Sequence, residues 1–270
     1  MITVRTPAVA GLFYPADRQQ LAQDVQQLLA EARPLDVTPK ALIVPHAGYI
    51  YSGAIAATAY ATLRSVASHI RRVILLGPTH RVAVRGLALP GVDAFDTPLG
   101  QVMLDTTAMN AIAHLSQVTI SKEAHALEHS LEVQLPFLQS ILPDFTLLPL
   151  AVGSASAEEA AEVLDVLWGG EETLIVISSD LSHYLPYTTA QRVDNETIQS
   201  ILKLQQPITH DHACGGTPLS GLILAARAHH LTPHLLDLRN SGDTAGSCNQ
   251  VVGYAALAFV EEDAYVTRAR

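Results

Sequence analysis

Cysteine is scarce in this 270-residue chain: Cys214 and Cys248 are the only two, and no CxxC pair occurs. That excludes a disulfide framework and a zinc ribbon, and it fits a reducing cytoplasm. Charge is thin as well. Charged residues make up 16% against 49% hydrophobic, a balance that excludes disorder and leaves ample material for a core. The 16 Lys and Arg are outnumbered by 26 Asp and Glu, for a net charge of −10. They form no basic stripe, which argues against nucleic acid as a partner. The N-terminus has no basic segment followed by an apolar one, so no signal peptide is expected. No P-loop, GxGxxG or GxSxG occurs, so nucleotide binding and an α/β-hydrolase elbow lack support. Residues 41–63 carry no charge and are long enough to span a bilayer. Pro45, His46, Gly48, Tyr49, Tyr51, Ser52 and Gly53 interrupt them, however, and a strand, a polar turn and a helix capped by Ser52 are expected instead of a membrane span.

No repeat, low-complexity tract or linker divides the chain, so one domain over residues 1–270 is expected. Short β-branched runs at 41–44, 72–76, 86–89, 101–104, 145–152, 173–178, 234–238 and 251–260 read as strands. Amphipathic stretches at 17–32, 105–115, 128–142, 157–167, 189–204 and 218–230 read as helices, with Asp105 and Ser156 as caps. The alternation predicts an α/β fold: a central, mostly parallel or mixed sheet with helices on both faces.

Twelve histidines against three methionines is the unusual feature of what is present. Four apolar strands finish in polar tips: His46, His80, Asp180 with His183, and Asp243. In an open α/β sheet the ligand crevice lies beyond the carboxyl ends of the strands, where adjacent parallel tips converge. Buried Asp and His cost stability unless paired or bound to metal. Two histidines and a carboxylate with open positions form the non-haem iron arrangement, so His46, His80 and Asp243 are the candidate ligands. His183 is the candidate general base and Asp180 a group that orients an imidazole. The alternative is a hydrogen-bonded network closing the top of the sheet.

Other polar groups are weighed against plainer roles. Glu128, His129 and Glu132, with His125 before them, fall on one predicted helix; His129 is expected at the crevice rim as a hydrogen-bonding or substrate-contact residue. Cys214 precedes Gly215-Gly216-Thr217-Pro218 and reads as a buried thiol, with nucleophilic chemistry as the alternative. Cys248 reads as exposed. His69, His114, His210, His212, His229 and His230 read as helix-end or surface residues.

At these residues the sequence resembles the Memo family, the "AmmeMemoRadiSam system protein B" group of bacteria and archaea. The resemblance is carried in order by Ala10-Gly11-Leu12-Phe13-Tyr14-Pro15, Pro45-His46-Ala47-Gly48-Tyr49, Gly77-Pro78-Thr79-His80, Thr97-Pro98-Leu99-Gly100, Glu128-His129-Ser130-Leu131-Glu132, Ser178-Ser179-Asp180-Leu181-Ser182-His183, Cys214-Gly215, Ser241-Gly242-Asp243 and Val252-Gly253-Tyr254-Ala255-Ala256. It implies a fold similar to class III extradiol dioxygenases, in which two histidines and a carboxylate hold Fe(II) and a further histidine acts as base. Carried over, His46 and His80 match the metal histidines and His183 the base. The human member has Cys at the third position, whereas the Ser-Gly-Asp motif here implies Asp243.

The expected activity is therefore that of a non-haem Fe(II) oxidoreductase, with copper or zinc as alternative ions, on a small, aromatic or phenolic substrate with O₂. Asp180 and His129 would support His183. Two competing functions are a non-catalytic binding or adaptor protein and an iron- or copper-handling protein. The resemblance also implies radical-SAM and AMMECR1-like proteins as partners.

Overall fold

Runs of Val, Ile and Leu too short for helices pair edge to edge at the centre of the molecule. The computed structural model describes residues 2–261. In chain order its elements are β1 (Val4–Arg5), α1 (Arg18–Glu31), β2 (Ala41–Val44), α2 (Tyr49–Ala61), β3 (Arg72–Pro78), β4 (Leu87–Leu89), β5 (Ala94–Thr97), β6 (Gly100–Met103), α3 (Thr106–Ile112), β7 (Val118–Ile120), α4 (Lys122–Ala126), α5 (Leu135–Ile141), β8 (Thr146–Val152), α6 (Ala157–Leu167), β9 (Thr173–Ser178), β10 (His183–Leu185), α7 (Tyr187–Leu202), α8 (Gly216–Ala228), β11 (Leu231–Asn240) and β12 (Val251–Glu261).

The large sheet has the order β10-β12-β2-β9-β3-β8-β4-β7, with β11 also paired to β12. Strands β2, β9, β3 and β8 are mutually parallel, while β12 runs antiparallel to both β2 and β11. A second, three-stranded sheet joins β1, β5 and β6. The central strands are buried on both faces, as covered parallel strands must be. Leu42, Val44, Val73, Leu75, Leu174 and Val176 face one core, with Leu21 and Val25 of α1 and Ile55 of α2. Ile43, Ile74, Leu76, Ile175 and Ile177 face the other, with Val163 of α6 and Leu222 of α8. The period of two along each strand sorts these side chains between the two helical layers. This is the α/β fold expected from the alternation.

The helix starts follow local chemistry. Asp17, Asp105 and Ser156 each accept a backbone N–H at the head of α1, α3 and α6. Ser52 does not cap α2. That helix begins at Tyr49, and Ser52 Oγ donates to Ala47 O from inside its first turns. The uncharged stretch 41–63 thus folds as β2, a turn and α2. Among the described residues no helix is long and apolar enough to cross a membrane.

The helical stretch expected over 128–142, kinked or split at Pro136, is instead broken earlier, and Pro136 sits in the first turn of α5. The chain there turns after α4, makes a short 3₁₀ turn at Glu132–Gln134 and enters α5. Glu128 Oε1 accepts the N–H groups of His129 and Ser130, which competes with helical bonding. His129 is therefore on a turn, not on a helix face.

His125, at the end of α4, lies buried, with Nε2 donating to Ala88 O at 2.7 Å and Nδ1 without a partner. Burial depresses its pKa to about 4; the bond to Ala88 opposes this and the Arg5 charge adds to it. The unfolded chain therefore binds this proton first, starting near the ordinary histidine value of about 6.5. Its contribution to stability is complete above that pH and is lost as pH falls towards about 4. Urea midpoints measured from pH 7 down to 4 should fall less steeply in His125→Gln than in the unsubstituted protein. Parallel curves would contradict this assignment.

Candidate metal centre

Three adjacent parallel strands, in the order β2-β9-β3, deliver three polar tips to one edge. Val44 is paired with Ser178, so His46 and Asp180, each two residues further on, lie side by side. Asp180 Oδ1 accepts the His46 N–H at 2.7 Å. His80 follows β3 at the same edge. The turn between α4 and α5 packs over that end because Gly77 has no side chain; a Cβ there would meet Ser130 Oγ at 2.9 Å. This brings in His129. Nitrogen atoms of His46, His80 and His129, one per ring, all lie within 4.8 Å of one another.

Glu128 holds two of these histidines. Its Oε2 accepts the His80 N–H at 2.7 Å, and its Oε1 accepts His80 Nδ1–H at 2.9 Å. Oε1 also accepts the backbone N–H groups of His129 and Ser130, each at 2.9 Å. Burial alone would raise the Glu128 pKa, but the bonds from His80 and Ser130 outweigh it and hold the group at about 2. The carboxylate is thus ionised and accepts from His80 Nδ1, so the neutral tautomer that this bond selects has its lone pair on Nε2. Burial keeps His46 well below the ordinary histidine range and brings His129 to about 4, so both are neutral at physiological pH. Neutral imidazoles with free ring nitrogens are the donors that transition ions require.

Glu128 is itself anchored from behind. Arg5 Nη2 donates to Glu128 O and Arg5 Nε to His125 O, while Arg5 Nη1 pairs with Glu132 Oε2 at 2.6 Å. Glu132 in turn accepts Ala8 N–H, Val9 N–H and the Tyr14 hydroxyl. The N-terminal segment is so tied to the turn that presents His129, and Phe13 lies against the His129 ring at 4.9 Å between centroids.

A cavity of about 740 Å³ opens beside the cluster, lined among others by His80, Val84, Val152, His183, Asp211 and Cys214. His183 Nδ1 donates to Leu181 O at 2.8 Å, which leaves Nε2 as an acceptor; burial lowers its pKa. A bulge between β10 and β12 aims this ring, with Tyr184 at φ 58° as the extra residue. The structure thus places His46, His80, His129, Asp180 and His183 together. His129, expected only as a rim residue, stands among the potential ligands.

Asp243 is not with them. It ends the 3₁₀ turn after β11, where it accepts the Tyr187 hydroxyl and the Asn240 N–H. The reason lies in sheet order: β12 stands between β2 and β11, and two interstrand steps amount to about 10 Å. The four tips were expected on adjacent strands, and the intervening antiparallel strand separates one of them.

Cys214, by contrast, comes close. Its Sγ lies 3.4 Å from His46 Nε2 and 3.3 Å from the Asp180 N–H. Burial and the Asp180 charge push the thiol up to about 12. Sequence spacing gave no means of placing it, since it arrives on the loop before α8; the signal was its Cys-Gly pair. Glu128 was legible as a carboxylate next to a histidine but not as the group that joins two of them.

Glu128→Gln removes the charge and leaves at least one of four N–H donors facing an amide NH₂. Co(II) affinity should fall by about 10–100-fold, and unfolding free energy by about 1–3 kcal/mol. Asp243→Asn should leave Co(II) affinity unchanged. Spectroscopic Co(II) titration of both variants checks this, and the reverse ranking would contradict the assignment.

Comparison with known proteins bears on the whole of this arrangement. The family model described as Memo-like protein matches residues 5–258. A MEMO1 family protein of Aquifex aeolicus is 37% identical, with 95% of this chain and 99% of that one covered. One from Methanosarcina barkeri is 34% identical, covering 94% and 99%. Among solved structures, an uncharacterized protein from Escherichia coli K12 superposes with a TM-score of 0.51 at 17% identity, covering 80% of this chain and 98% of that one; it shares the fold. The family match spans every strand and turn that delivers a residue to the histidine cluster, and on that ground the chain belongs to the Memo family.

Proposed function

We propose that this chain is a metal-dependent oxidoreductase whose ion is held by His46, His80 and His129. The observation that carries the reading is the convergence of three histidine nitrogens, of which His80 also lines a cavity and is held from behind by Glu128. Nitrogen donors beside a thiol suit iron, copper and zinc. Fe(II) is the first choice, from the resemblance to extradiol dioxygenases. A bound ion of this kind supplies Lewis acidity and, as iron or copper, redox chemistry with O₂.

The remaining steps belong to the protein. His183 presents a bare Nε2 to the cavity and is the base that takes a substrate proton. Asp180 acts on the ligand side, fixing the His46 backbone through its N–H. Pro78, Val84 and Val152 line the cavity with apolar surface that holds a small, aromatic or phenolic substrate and limits water.

A second reading, a binding or adaptor protein, draws on a different observation. Leu12, Ile50 and Tyr184 are 80%, 71% and 69% exposed, and each lies within four residues of His46 or His183 or beside the Phe13 that touches His129. Exposed apolar side chains grouped at a site mark contact with another molecule. In that reading a radical-SAM or AMMECR1-like protein is the partner and the cavity performs no chemistry.

Elemental analysis of protein purified anaerobically with Fe(II) separates the two. The oxidoreductase reading expects near-stoichiometric iron, lost in His129→Ala and retained in Asp243→Ala, with O₂ uptake in a screen of phenols and catechols. Metal without O₂ uptake would select an iron- or copper-handling protein. Absence of bound metal in all three proteins would overturn the metal centre and leave the adaptor reading.

A further inference from the structure

His46 has two ring nitrogens in different surroundings. Nδ1 lies 2.9 Å from Ser178 Oγ, whereas Nε2 faces the cluster, 3.4 Å from Cys214 Sγ. A neutral imidazole carries one proton, and only its bare nitrogen can hold a metal ion. Which nitrogen is bare depends on whether Ser178 offers His46 a proton or a lone pair.

Four buried groups around Ser178 decide this: Pro45 O, Gln134, Tyr60 and Ser130 O. Pro45 O lies 2.9 Å from the Gln134 amide nitrogen. A carbonyl can only accept, so the NH₂ end of Gln134 must face it. The opposite end, Oε1, accepts the Tyr60 hydroxyl at 2.8 Å. The second N–H of Gln134 donates to Ser178 Oγ at 2.8 Å. Ser178 has one proton of its own and places it on Ser130 O at 2.6 Å. With that proton used and one lone pair occupied, Ser178 has only a lone pair left for His46.

We propose that Tyr60, Gln134 and Ser178 form a hydrogen-bond chain that holds His46 as its Nδ1–H tautomer and leaves Nε2 bare toward the cluster. All three act as positioning residues. Tyr60, Gln134 and Ser178 are all fully buried, where apolar side chains would pack without the cost of desolvating polar groups. Their bonds run from α2, through the turn before α5, to the end of β9, and stop at His46. The use of the chain rests on the metal-centre reading; its proton order does not.

The test begins on metal-free protein labelled with ¹⁵N-histidine. Two-bond ¹H–¹⁵N spectra report the tautomer of each ring, and the His46 signals are those missing from His46→Asn. The expected result is a single Nδ1–H form; an Nε2–H form or a mixture overturns the proposal, and this measurement stands alone if a variant fails to fold. In Ser178→Ala the single tautomer should be lost and Co(II) affinity should drop by about 10–100-fold. Ser178→Thr, which keeps the hydroxyl, should restore both. An unchanged tautomer in Ser178→Ala also overturns the proposal. The stated tautomer in a wild-type protein that binds no Co(II) supports the chain and overturns the metal-centre reading instead.

Discussion

A single buried carboxylate, Glu128, organises this protein's centre. A charge in a desolvated position survives only with donors around it, and here the donors are supplied by the site it builds. Two come from His80, through backbone and ring, and two from the backbone of His129 and Ser130. Satisfying Glu128 therefore draws the end of β3 and the turn before α5 together. The same bonds break what would have been a helix and fix the proton on His80. Local conformation, electrostatics and ligand geometry are three consequences of one constraint.

That constraint needs an abutment, and Arg5 with Glu132 provides it. Removing one partner of a buried pair costs about 3–5 kcal/mol, because the other is left uncompensated. Here each partner also carries backbone bonds, to His125 and Glu128 on one side and to Ala8 and Val9 on the other. The N-terminal segment is thereby part of the site although it contributes no potential ligand. Phe13 against His129 is the visible outcome.

The donors around the cavity are handled unequally. His80 is backed by a charged carboxylate and His46 by a neutral hydroxyl, while His183 is backed by a backbone carbonyl. An anionic acceptor makes its imidazole the more electron-rich donor, and a neutral one does so less. Cys214, held protonated by burial, lies 3.4 Å from His46 at the border of the cluster, where only its thiolate would act as a soft donor. Histidines backed so differently stand beside a cavity that mixes apolar Val84 and Val152 with His183 and Asp211.

The α/β architecture was legible because covered parallel strands read as continuous apolar runs, and because Asp105 and Ser156 cap helices whatever surrounds them. Strand tips at His46, His80 and Asp180 were legible for a similar reason: a polar residue directly after a buried strand is a local signal. The misplaced residues were those whose position depends on pairing between distant segments. Asp243 follows a strand like the others, yet an antiparallel neighbour inserted between β11 and β2 sets those two strands two interstrand steps, about 10 Å, apart. His129 looked like one face of a helix until Glu128 found its donors. Cys214 had no local mark beyond a neighbouring glycine. The sequence by itself determined the elements, the covered sheet and the chemistry available, since these follow from periodicity and residue type. Tertiary structure alone decided which donors share one space, since strand order and the satisfaction of a buried charge are properties of the whole packed chain.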